Sequence, residues 1–215
     1  MAAALWQELT ARDFAAIDPE RTVALLPVAA TEAHGPHLPL GTDALINRGV
    51  VDAALARPLG GARVLRLPAL EVGDSLEHTG FPGTLSAGAE ALLALWLDVA
   101  AGVARAGVRK LVLFNTHGGQ SALARLAVLR MRSRHRLLAA RADTFAFGAP
   151  PGLFDADELA HGLHGGEVDT SLMLHLRPEL VRRDALADFP ALTHRMATPG
   201  ALLGPEGTAG FGWMS

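Results

Sequence analysis

The chain has 215 residues, half of them hydrophobic and 19% charged, and a formal net charge of −3. That length and balance suit one globular α/β domain over residues 1–215. The dispersed basic residues predict no nucleic-acid groove, and no apolar run is long enough to span a membrane. The chain has no cysteine, which excludes disulfides, a thiol nucleophile and thiolate metal sites, so a metal here must be held by nitrogen and oxygen.

Residues 1–20 carry Leu5, Trp6 and Leu9 at spacings that predict a short helix and a loop. The N-terminus has neither the basic region nor the apolar core of a signal peptide, so a cytoplasmic location is expected. The apolar run Val23–Ala30 reads as a buried strand. It opens into Thr31-Glu32-Ala33-His34-Gly35-Pro36-His37-Leu38-Pro39-Leu40-Gly41-Thr42-Asp43, where four side chains able to bind metal fall within twelve residues. Were Glu32 and His34 to continue the strand, its period of 2 would set both on one face. Thr42 or Asp43 starts a helix that ends before the breaker Arg57-Pro-Leu-Gly-Gly61.

A second strand is expected over residues 63–70, followed by a loop, 71–84, that contains His78 and ends in Phe81-Pro-Gly-Thr84. A loop between a strand and a helix is a natural substrate wall. A helix over about 86–106, apolar at Leu92, Leu93, Leu95, Trp96 and Val99, stops at Gly107. Lys110–Asn115 reads as a central parallel strand and runs directly into Thr116-His117-Gly118-Gly119-Gln120. A helix over 121–134, a strand over 137–145, a Gly- and Pro-rich stretch over 146–165 and a helix over 167–176 follow. Residues 177–215 are weakly patterned and end in Gly-Phe-Gly-Trp-Met-Ser.

Alternating strands and helices predict an open α/β sheet with helices on both faces, whose ligands bind beyond the carboxyl ends of the strands. Glu32, His34, His78, His117 and the 161–167 segment all follow predicted strands. Taken singly, Asp43 reads equally as a helix cap and His34 as a hydrogen-bonded loop histidine. His37 reads as a hydrogen-bonding neighbour of the ligands more than as a ligand. His78 is either a substrate contact or a structural loop residue, and His161 is equally open. His135, His175 and His194 read as ordinary histidines.

Four stretches together resemble the successive motifs of the creatininase (creatinine amidohydrolase) family: residues 31–43, His78 with Phe81–Thr84, Asn115–Gly119, and His164-Gly-Gly-Glu167-Val-Asp-Thr-Ser-Leu-Met-Leu174. The resemblance runs in order from about residue 23 to 176. It implies a three-layer α/β/α sandwich with a mostly parallel sheet, and a centre of two divalent metals per chain, Zn, Mn or Fe. It also implies hydrolysis of an amide-type C–N bond and a homohexamer. By position it makes Glu32, His34, Asp43 and His117 metal ligands, with Asp43 the bridge, and Glu167 a fifth. The residue chemistry is compatible: three carboxylates and two histidines suit a hard two-metal site, and a metal-bound hydroxide would attack the amide carbon. His164 or the protonated bridge would supply a proton to the leaving nitrogen. Gly118 and Gly119 would let backbone N–H groups approach a developing oxyanion.

Gly119 stands where creatininase itself carries a metal-binding glutamate, and residues 97–212 lack the tryptophans that close its pocket. Creatinine is therefore not the expected substrate. The His-Gly-Gly pattern is closer to members that deformylate formamidopyrimidines or trim a peptide in mycofactocin maturation, so a cyclic amide, formamide or short peptide is expected. Thr116 and Gln120 replace the usual glycine and asparagine, and Gly165 and Asp169 replace alanine and glutamate. Relatives continue past a segment like Phe211-Gly-Trp-Met214, whereas this chain stops at Ser215. The competing expectation is a family member that keeps the fold and metal but acts as a binding protein.

Overall fold

Strand β2, Thr22–Val28, is apolar on successive residues because both faces of the sheet around it are covered. It lies at the centre of five parallel strands ordered β1-β3-β2-β4-β5, with β1 Ala3–Leu5, β3 Arg63–Arg66, β4 Lys110–Asn115 and β5 Leu138–Asp143. The computed structural model describes residues 3–188. His194 and the Gly-Phe-Gly-Trp-Met-Ser ending lie outside the described residues.

The helices are α1 Ala11–Phe14, α2 Thr42–Leu55, α3 Ala89–Arg105, α4 Ser121–His135, α5 Ala156–His161 and α6 Glu167–Leu176. The chain passes from β2 through α2 to β3 on one side. It then returns past β2 to β4 and goes on to β5. Right-handed crossovers in opposite directions place α2 on one face and α3 and α4 on the other. The cores agree with this. Trp96, Leu97, Ala100 and Val103 of α3 and Ala124, Ala127 and Met131 of α4 pack with Ala24, Leu26, Leu111 and Leu113 of the sheet. Ile46 of α2 and Met173 of α6 form a second cluster with Leu38 and Val181. Gly49 permits the close contact of α2 with α6, since a Cβ there would lie 2.5 Å from Leu176. No helix among the described residues is long and apolar enough to cross a membrane.

Because the connections leave β2 and β4 in opposite directions, the sheet has its topological switch point between their carboxyl ends. A crevice opens at that place in such folds.

Three expectations change. Residues 3–5 form an edge strand in register with Val64–Arg66, not part of a helix, because three residues are too few to show a period. The second strand ends at Arg66, before Pro68, which has no N–H to give. Leu70 rejoins the sheet through Leu70 N–H to Pro27 O (3.0 Å) and Ala29 N–H to Leu70 O (2.9 Å). Leu95 is 44% exposed, since the buried stripe of α3 runs through Leu92, Trp96, Ala100 and Val103.

A candidate metal centre

The loop after β2 is held on both sides. Glu32 N–H donates to Leu40 O (2.9 Å), Leu85 N–H donates to Thr31 O (2.9 Å) and Ala33 N–H donates to Thr84 Oγ1 (3.2 Å). Gly35 takes φ +71°, which turns the chain without the cost a Cβ would carry. Glu32 and His34 lie just beyond the end of the strand, and both are fully buried. Asp43 stands in the first turn of α2, whose N-cap is Gly41. His117 follows β4 directly. Its backbone N–H donates to Asn115 Oδ1 (3.1 Å), and its carbonyl accepts from Asn115 Nδ2 (2.8 Å).

These side chains meet at the switch point. Asp43 Oδ1 is 3.3 Å from His34 Nε2, and Asp43 Oδ2 is 3.4 Å from His117 Nδ1. Glu32 Oε1 is 3.1 Å from His117 Nδ1, 3.6 Å from His164 Nδ1 and 3.9 Å from His78 Nε2. The rings of His34 and His78 each lie 4.1 Å, centroid to centroid, from that of His164.

Backbone carbonyls set three of the rings. His34 Nδ1 lies 3.1 Å from Glu32 O, His117 Nε2 2.8 Å from Asp74 O and His164 Nε2 2.6 Å from Ala33 O. A carbonyl only accepts, so the proton of each neutral ring is on that nitrogen. The other nitrogen, with its lone pair, faces the carboxylates. Metal-binding histidines are oriented in the same way.

The electrostatics follow from burial against charge. Burial pushes His34 down, but Asp43 outweighs it and the pKa rises to about 9. Burial likewise pushes His117 down, but Asp43 and Glu32 outweigh it and raise its pKa well above the ordinary value. Burial raises Asp43, yet the neighbouring His34 and His117 hold its carboxyl well below the usual range. Burial, then the repulsion of a charge on His164, pushes His78 down to about 4.

Among the described residues two groups of donors emerge, each with its ligand atoms within 4.8 Å of one another: Glu32 with His34 and His164, and Glu32 with Glu77 and His117. Glu32 belongs to both, and Asp43 spans their histidines. Both Glu32 oxygens and Asp43 Oδ2 are buried without a hydrogen bond. Orphaned buried carboxylate oxygens are expensive unless a cation answers them. Donors around a tetrahedral zinc with bonds of about 2.0–2.2 Å stand roughly 3.3–3.5 Å apart. The 3.1–3.4 Å spacings around Asp43 and His117 fit that. The residues therefore suit a divalent metal, through oxygen and imidazole nitrogen.

Of the residues singled out from sequence, Glu32, His34, Asp43, His78, His117 and His164 come together here. Gly118 and Gly119 lie between His117 and the start of α4. Glu167 opens α6, is exposed and belongs to neither donor group among the described residues. His37 turns toward α6 instead, with Nε2 2.9 Å from Thr170 Oγ1. Asp169 accepts from Gly165 N–H at 2.8 Å and so shapes the His164 loop.

Nothing in the sequence singles out Glu77, although it precedes His78. A glutamate in a glycine-rich loop reads as solvated, and only the folded loop buries it. By sequence Asp143 falls within the expected fourth strand, and Gln120 stands where asparagine is usual. In the structure Gln120 Nε2 donates to Asn115 Oδ1 (2.9 Å), and Asn115 Nδ2 donates to Asp143 Oδ1 (2.9 Å).

Comparison with known proteins agrees with the geometry. The family model described as creatinine amidohydrolase matches residues 7–213. A mycofactocin precursor peptide peptidase of Mycobacterium ulcerans is 38% identical over 168 residues, 76% of this chain and 62% of that protein. The match therefore spans less than two thirds of that relative's length. A creatinine amidohydrolase of Pseudomonas putida is 33% identical over 204 residues, 87% of this chain and 75% of the relative. The solved structure of a manganese creatininase superposes with TM-score 0.77 at 29% identity, covering 99% of this chain and 88% of that one. With the motifs, the parallel sheet and the buried carboxylate–histidine cluster all in agreement, the chain belongs to the creatininase family.

Proposed function

We propose that this protein is a metal-dependent amidohydrolase that cleaves an amide-type C–N bond in a short peptide or small amide. The observation that carries this reading is Glu32: a fully buried carboxylate with no hydrogen bond, faced by nitrogens of His117, His164 and His78. Glu32, His34, Asp43 and His117 would hold two divalent metals, with Asp43 between them. Zn and Mn are the first candidates, manganese by kinship with the creatininase structure above. When bound, such a pair lowers the pKa of a water and polarises a carbonyl.

The chain's own residues do the rest. His164, whose Nε2 is held by the Ala33 carbonyl, has Nδ1 as the atom to take a proton and pass it to the leaving nitrogen. His78, neutral across the physiological range, presents Nε2 as a hydrogen-bonding group beside the substrate. The N–H groups of Gly118 and Gly119, ahead of the first turn of α4, serve the developing oxyanion. We assign Glu167 to the N-terminus of α6, where a carboxylate favours the helix dipole, and not to the metals.

A short-peptide substrate is supported by the 38% identity to a peptide peptidase and by a chain that lacks tryptophan over residues 97–212. A homo-oligomer and a cytoplasmic location belong to the same reading. The test is metal content by mass spectrometry on protein purified without chelator, beside hydrolysis of short peptides, formamides and creatinine. About two metals per chain with peptide or formamide hydrolysis is the expected result. Bound metal without turnover of any amide would favour a binding protein, and folded protein that takes up no metal would overturn the proposal.

A further inference from the structure

Gly119 is exposed and does not have a positive φ, so its backbone tolerates any residue. What forbids a side chain there is space. A Cβ at position 119 would stand 2.0 Å from Glu77 Oε1 and 2.7 Å from His117 Nε2. Glu77 and a side chain at 119 therefore compete for one volume beside the same histidine.

The carboxylate in that volume is built in. Glu77 is only 9% exposed, its Oε1 stands 3.6 Å from His117 Nε2, the ring nitrogen that the Asp74 carbonyl holds, and one ligand atom each of Glu77, Glu32 and His117 lie within 4.8 Å of one another. It arrives on a loop pinned to the start of α3, with Ser75 N–H donating to Ser86 Oγ (2.9 Å) and Ala87 N–H to Gly73 O (2.9 Å). The same loop supplies the Asp74 carbonyl that orients the His117 ring. Among the described residues, Glu77 is the remaining donor of the group that contains Glu32 and His117, and in that group both Glu32 oxygens lack a hydrogen bond.

We propose that Glu77 is the third protein donor of the His117 metal position, and that Gly119 is glycine to make room for it. The carboxylate of this position comes from the loop after β3, not from the loop after β4. A substrate group reaching the His117 side then meets bare backbone at 119 instead of a charged side chain, which leaves that side open to a longer chain. The inference rests on the metal reading above.

The test is titration of the chelator-stripped full chain with Zn²⁺ and Mn²⁺ against a chromophoric chelator, with thermal unfolding as the check on folding. In Glu77→Gln, the weaker site is expected to lose at least tenfold in affinity while the folded baseline is kept. In Glu77→Ala with Gly119→Glu, a carboxylate returns to the same volume and affinity is expected to recover to within about threefold of the parent. Unchanged affinity in Glu77→Gln would overturn the inference and leave the metal reading standing. Weakened binding with no recovery in the double variant would overturn the shared-volume claim. A parent chain that binds neither ion would overturn the metal reading, and the inference with it.

Discussion

Asn115, the last residue of β4, donates through Nδ2 to Oδ1 of Asp143, its register partner at the end of β5, at 2.9 Å. The other Asp143 oxygen is 3.0 Å from Arg141 Nε. Asn115 also grips both backbone groups of His117. The adjacent strand thus fixes the rotamer of the residue that sets the histidine loop. In Asp143→Ala, the buried Nδ2 of Asn115 loses one of its two acceptors and the half-buried Arg141 loses its carboxylate partner, at a cost of about 1–3 kcal/mol. Metal affinity should fall by about 10- to 100-fold, as expected of a group that orients a ligand without touching the metal. Urea unfolding and a metal titration read the two effects separately. Lower stability with unchanged affinity would reduce Asp143 to a structural role.

Glu32→Gln keeps the shape of the side chain and removes its charge. Loss of metal should exceed the roughly 100-fold limit for orienting groups, since Glu32 belongs to both donor groups. Amide hydrolysis should fall with it. A glutamine variant that retains both metals would contradict the assignment of Glu32.

Metal uptake should release protons. His34 has a pKa raised from 6.5 to about 9, so in chelator-stripped protein it carries a proton at neutral pH that a metal at Nε2 must displace. His117 is raised as well and should release a second. Affinity should therefore climb as pH rises toward about 9, where the His34 proton is no longer there to displace. The stripped protein behaves in the opposite sense. A raised histidine pKa stabilises the fold fully below pH 6.5, and that contribution is lost as pH rises through about 9. Calorimetry in buffers of different ionisation enthalpy counts the protons, and an affinity independent of pH between 6.5 and 9 would show that His34 is not displaced.

Gly73 has no positive φ, yet a Cβ there would lie 2.7 Å from the Ala29 carbonyl and 2.8 Å from Gln120 Oε1. Backbone on one side leaves little room to relax, so Gly73→Ala should lose about 1–3 kcal/mol. At Gly80 nothing lies within 4 Å, and Gly80→Ala should stay within about 0.5 kcal/mol of the parent. Equal melting temperatures for the two variants would mean that the loop after β3 yields more easily than its contacts indicate.

Amino-acid order alone determined the alternation of strands and helices, the placement of β4 and α6, and six of the side chains that meet at the site. Those features are local: an apolar run of strand length, a cap, or a histidine directly after a strand is written in neighbouring residues. Only the tertiary structure decided that Ala3–Leu5 is a strand, since its evidence is a partner about sixty positions away. It also decided that Glu77 is buried beside His117 while Glu167 stays exposed. Both glutamates sit beside a promising histidine in a glycine-rich loop, so chain order cannot separate them. What separates them is the direction each loop takes after leaving the sheet, and that depends on contacts between residues far apart in the chain.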